Sequence, residues 1–144
     1  MSSEEQELAE HVVSAMMAKD TFSQWLGIEV VDVRPRAATI RMAVREDMLN
    51  GFGVCHGGIV FSFADSALAF ASNTHGNVTV SIENTITYPK KIVLGDVLEA
   101  SAEEESGTTR LGFFRVTVKR GADIVALFRG TVYKTNQPFF SANE

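Results

Sequence analysis

Between Met48 and Ile82 a single formally charged side chain occurs, Asp65, in the middle of the run Ile59–Asn73, IVFSFADSALAFASN. A carboxylate sunk among apolar neighbours is costly unless it is paired or takes up a proton. Two roles fit such a residue. It can be tied to hydroxyls as a packing element, or it can line a cleft as a general base or nucleophile whose charged form is disfavoured by desolvation. The segment before the run bears on the choice: Asn50-Gly51-Phe52-Gly53-Val54-Cys55-His56-Gly57-Gly58. Glycines let a ligand approach the backbone, and the first N–H groups of a helix have no partner inside it, so they form a donor site for a developing oxyanion. Asn50 and His56 add side chains able to hold a carbonyl or a water. Taken singly, the glycine-rich stretch reads as a turn and the histidine as a structural one. Together with Asp65 they have the composition of an acyl-transfer site.

Geometry restricts how these groups cooperate. Gly57 and Asp65 lie eight residues apart, about 12 Å along a helix axis, too far to grip one small reacting group. If both act, Asp65 of one chain meets the Gly57 turn of another across a twofold dimer with antiparallel central helices. The expected site is therefore composite.

The positioning elements follow from hydrophobic period. Residues 4–26 carry Leu8, Val12, Met16 and Met17 at helical spacing, with acids early and Lys19 late, as the helix dipole prefers. Asp20 can cap a short second helix that bears Phe22 and Trp25 and stops at Gly27. From Ile28 the period becomes two: Ile28, Val30 and Val33, a turn at Arg34-Pro35-Arg36, then Ile40, Met42 and Val44, a hairpin. The Ala-rich run holding Asp65 is too long for one strand and too apolar for a surface helix, which places it in the interior with a narrow polar stripe of Ser62, Asp65, Ser66, Ser72 and Asn73. Strand patterns then occupy 78–88, 97–106, 110–120 and 124–134, with turn signals at Gly95, Gly107 and Gly121. The tail from Thr135 (135–144) is expected to be loose, with Phe139 and Phe140 available to a partner. The predicted class is α+β: an antiparallel sheet of about six strands wrapped around one long central helix, in a single domain over 1–144.

Composition sets outer bounds. A chain of 144 residues suits one domain. A net charge of −5 offers no field for a polyanion, which excludes a general nucleic-acid binder. The lone Cys55 permits no internal disulfide and no cysteine-based zinc site. The acidic start and the lack of any run near the roughly 18 apolar residues of a membrane span lead us to expect a cytoplasmic protein with no membrane contact.

The motifs Met48-Leu49-Asn50-Gly51, Cys55-His56-Gly57-Gly58, Phe61-Ser62 and Ala64-Asp65-Ser66-Ala67 resemble those of the hot-dog-fold acyl-CoA thioesterases of the phenylacetate-degradation (PaaI) type. Leu26-Gly27-Ile28, Gly95-Asp96 and Ala126-Leu127-Phe128-Arg129-Gly130 are similar to that family too, so the likeness runs from about Trp25 to Tyr133. The resemblance implies a hot-dog domain that pairs into dimers and usually tetramers and hydrolyses aryl- or acyl-CoA thioesters without a metal or other cofactor. It makes Asp65 the catalytic carboxylate and the Gly57 N–H the group that polarises the thioester carbonyl. Asn50 and His56 shape the carbonyl and water site, and Ser81 helps position water. One departure is Tyr88-Pro89-Lys90-Lys91, where proline precedes the basic residues rather than following them. For the CoA phosphates the candidates are Lys90, Lys91 and Arg129, whose alternative reading is solvated surface. Two other functions compete: a hydroxyacyl-thioester dehydratase, disfavoured because no proline occurs between Arg36 and Tyr88, and a non-catalytic acyl-CoA-binding module.

Overall fold

A computed structural model describes residues 2–141. Helix α1 (Ser3–Lys19) starts at an N-cap whose Ser2 hydroxyl accepts from the Glu5 N–H, and it buries Ala9, Val12 and Val13. Leu8, expected on that face, is exposed and lies against Gly76 instead. Helix α2 (Thr21–Leu26) is capped by Asp20, whose Oδ1 accepts from Ser23 N at 2.9 Å. It ends at Gly27, where φ is +77°, a left-handed turn that glycine adopts without a Cβ penalty.

Strands β1 (Glu29–Arg34) and β2 (Ala37–Ala43) form the expected hairpin. The alternation read into β1 does not survive, because the register slips between Val30 and Asp32 and leaves Val30 and Val31 exposed at the sheet margin. Helix α3 (Gly57–Asn73) follows a short 3-10 turn (Glu46–Met48) and a small loop. Next come β3 (Asn77–Thr87), β4 (Val97–Gly107), β5 (Leu111–Arg120) and β6 (Asp123–Pro138). The six strands make one antiparallel sheet ordered β1-β2-β4-β5-β6-β3.

Helix α3 packs on β2 through β6, the sheet-around-helix arrangement expected from the sequence. Its Phe63, Ala64, Ala67, Leu68, Phe70 and Ala71 are fully buried. They meet the inward residues of the strands, among them Ile40, Leu98, Ala100, Val116 and Phe128. Removing each of the Phe, Leu, Ile and Val side chains from water contributes roughly 1.5–3 kcal/mol, which is why a helix apolar on nearly every face is stable here.

Strand β3 carries the feature that matters most for the site. Ser81 pairs with Val132 but Glu83 pairs with Thr131, so Ile82 is an extra residue, a β-bulge. A bulge switches which face each later residue occupies. Ser81 before it and Asn84 after it therefore both reach the α3 side. The expectation of a loose tail from Thr135 is corrected. β6 extends to Pro138, the Phe139 N–H donates to Gly76 O at 2.6 Å, and Phe140 stacks on His11 with ring centroids 4.2 Å apart. Phe140 thus covers the middle of α1 in its own chain with Phe139 edge-on to it, while residues 142–144 of the tail lie outside the described residues.

Candidate active site

The loop ahead of α3 is built by Asn50. Its side-chain Oδ1 accepts from Phe52 N at 2.9 Å and from Val54 N at 3.3 Å, and its own N–H donates to Val54 O. Such a local turn is what an Asx side chain does well. Gly53, with φ +78°, completes it. The N–H groups of Cys55 and His56 tie the loop to Ile92 O and Met48 O. Asn50 thereby shapes the approach to the helix through Oδ1, while its Nδ2 has no partner among the described residues.

His56 is the N-cap of α3: its Nδ1 accepts from Gly58 N at 3.1 Å. In the neutral ring this leaves the proton on Nε2, a donor on an exposed side chain. The Gly57 N–H makes no hydrogen bond among the described residues, and the Gly57 carbonyl accepts from the Tyr88 hydroxyl at 2.7 Å. An unpaired N–H and an imidazole N–H thus sit at the positive end of a 17-residue helix dipole. That combination can stabilise negative charge developing on a carbonyl oxygen.

Asp65 lies two turns further on and is half-buried. Burial pushes its carboxyl above the ordinary range, the hydrogen bond from Asn84 pulls it back, and the Asp20 charge pushes it up again. Asn84 Nδ2 donates to Asp65 Oδ1 at 3.2 Å and reaches Ser81 Oγ at 3.4 Å. One residue on, the buried Ser66 hydroxyl bonds Ser23 Oγ at 2.8 Å, and Ser23 donates to Asp20 Oδ2 at 2.6 Å. Ser81 is therefore gathered with Asp65, while Asn50 and His56 gather with Gly57 at the helix tip. The two groups are not brought together within one chain.

The remaining candidates divide. Lys90 Nζ is 3.0 Å from Asp123, Arg129 is ion-paired with Glu105, and the exposed Lys91 side chain has no partner among the described residues. Of the four phenylalanines near the site, Phe63 and Phe70 are core, Phe61 packs edge-on against Phe128, and Phe52 is 93% exposed at the loop tip. Burial, aided by the Asp96 charge, raises the Cys55 thiol to about 11, which leaves it protonated and a poor nucleophile. Among the described residues no group of three His, Cys, Asp or Glu side chains is placed to hold a metal ion, and no helix is long and apolar enough to cross a membrane. Sequence reasoning missed Asn84, Tyr88 and Ser23 as parts of this site. An Asn inside a strand pattern was the one available signal, since strands are depleted in Asn.

Residues 52–126 match the Thioesterase superfamily. The chain belongs to that superfamily. It is 35% identical over 121 residues to the acyl-coenzyme A thioesterase PaaI of Escherichia coli, covering 83% of this chain and 86% of that protein. Human acyl-coenzyme A thioesterase 13 is 30% identical over 141 residues, 94% of this chain and all of the relative. The solved structure of the E. coli PaaI protein superposes with a TM-score of 0.90 at 31% identity, covering 92% of this chain and 97% of that one, so the fold is the hot-dog fold.

Proposed function

We propose that this protein hydrolyses acyl-CoA thioesters, aryl-CoA esters such as phenylacetyl-CoA among them, to the free acid and CoA. The observation that carries the reading is the division of α3: a half-buried carboxylate in its middle, and an unpaired N–H flanked by the His56 imidazole at its tip. The likeness to named acyl-CoA thioesterases supports the substrate class.

Asp65 takes a proton from water as the water oxygen attacks the thioester carbonyl, or attacks that carbon itself. The oxyanion forms against Gly57 N–H and His56 Nε2–H, and Asn50 holds the loop that presents them. Ser81 orders the water. On the water route, collapse of the tetrahedral intermediate breaks the C–S bond and the proton held by Asp65 goes to the thiolate. On the direct route, collapse leaves an Asp65–acyl anhydride and the CoA thiolate. Water then cleaves the anhydride to the two carboxylates, one of its protons going to the thiolate and the other to solvent. Single turnover in heavy-oxygen water separates the two routes, because base-assisted attack places the label in the product acid, whereas direct attack followed by water addition at the Asp65 carbonyl places it in Asp65 and gives an unlabelled acid.

The site is completed by a second copy, with dimers pairing further into tetramers. Support comes from β3, which ends the sheet with Val80 49% and Ile82 59% exposed, and from the helix length separating Asp65 from its own tip. Lys91, together with Lys90 and Arg129 once released from their ion pairs, would face the CoA phosphates, in the cytoplasm. The test is thiol release from a panel of CoA esters by the native protein and by Asp65→Asn. The expected loss is at least about 1,000-fold in kcat with little change in KM. Full turnover by Asp65→Asn, or an active monomer in analytical ultracentrifugation, refutes the corresponding part.

A further inference from the structure

Asp65 carries its charge in a poor environment. The core that α3 shares with the strands packed on it is apolar, including Ile40, Leu98, Ala100, Val116, Phe128 and Val132. From α1, Val13 joins that core. The charged group that reaches Asp65 is Asp20 at the start of α2, of the same sign. Glu83 on β3 is exposed and occupies the register position on the other side of the strand from Asn84. Against this, Asn84 Nδ2 is the one hydrogen-bond donor to the carboxylate among the described residues.

The orientation of Asn84 is dictated rather than incidental. An ionised carboxylate only accepts, so the amide nitrogen must face it. The opposite end of the amide then suffers, for Oδ1 is buried with no donor. It sits against Gly130, where an added Cβ would come within 2.8 Å of it. Leaving a buried acceptor unpaired is unfavourable, and the compensation lies at the carboxylate end. Strand pairing fixes the backbone on both sides, with Asn84 opposite Gly130 and the bulge at Ile82 turning it inward.

We propose that Asn84 is a positioning residue: its amide anchors Oδ1 of Asp65, keeps the carboxylate in its charged form and leaves Oδ2 facing the reacting water. The inference rests on Asp65 being the reacting carboxylate and adds the group that makes it usable.

Two variants test it. Asn84→Leu removes the donor at similar volume. Asn84→Asp preserves the shape, and hence the fold, but puts a second acid beside the first. Asp65 is followed by carboxyl carbon NMR, assigned against Asp65→Asn, alongside the pH profile of thiol release from phenylacetyl-CoA. The Asp65 carboxyl should titrate about one pH unit higher in Asn84→Leu, and in Asn84→Asp the pair should lose its last proton higher still. On the acid side of the profile kcat should fall about tenfold and recover at higher pH, with KM within about twofold of wild type. A lower melting temperature with an unmoved titration and an unmoved profile overturns the proposal and leaves Asn84 a merely structural residue. If Asp65→Asn retains turnover, the hydrolase reading fails, while the NMR midpoint still decides whether Asn84 governs the carboxylate.

Discussion

The tip and the middle of α3 solve different problems. At the tip the working groups are main-chain N–H and one imidazole, held by a loop with its own internal bonds within 50–58 and a few anchors outside it at Met48, Tyr88 and Ile92. In the middle the working group is a side chain whose surroundings come from far away in sequence: Asn84 and Ser81 on β3, Asp20 and Ser23 from α2. Backbone donors come with any helix start, so the tip needs little support. A half-buried charge exists only by virtue of its neighbours, so the middle should be fragile to changes that never touch Asp65 itself.

Asp65→Asn sharpens this contrast most. Besides losing turnover, it should raise the melting temperature at pH 7. Folding raises the Asp65 pKa, so its contribution to stability is fully present below the unfolded value, near 3.9, and lost as pH climbs through the higher folded value. Thermal denaturation across pH would show the wild type approaching the variant as the acid protonates; equal or lower variant stability at pH 7 would break the comparison. Gly130→Ala comes next. Its Cβ would lie 2.5 Å from Leu68 Cδ2 and 2.8 Å from Asn84 Oδ1, so we expect a loss of about 1–3 kcal/mol in urea unfolding together with impaired turnover. Ser23→Ala removes the hydroxyl linking Asp20 to Ser66 in a fully buried position and should cost about 1–3 kcal/mol, without changing KM. At the tip, Tyr88→Phe deletes only the bond to Gly57 O. An effect of about two- to tenfold on kcat/KM is expected; a larger loss than that from Gly130→Ala would make the tip the more delicate end.

The same division explains what could be read without coordinates. Asp65 stood out because the rest of 48–82 carries no formal charge, and Gly57 because glycine and histidine flank a helix start. Strand identities followed from period two. The neighbour of Asp65 was not legible, since it depends on one unpaired residue at Ile82 that simple alternation would not contain. Without that slip Asn84 reads as facing away. Ser23 was hidden for a similar reason: on a helix of six residues a serine signals nothing until Ser66 is placed 2.8 Å from it. The tail failed because its anchors, Gly76 O and His11, are contributed by distant turns of the chain.

Ile82 also acts as a phase shifter. Were the ladder to pair through this one amino acid, everything after it would turn by half a pleat, sending Glu83 to the acid and Asn84 to the outside, while Asp65 and its helix stayed as they were. Register at a single point in an edge strand is thus a route by which descendants of this scaffold retune an active acid while every residue of the helix that bears it is retained.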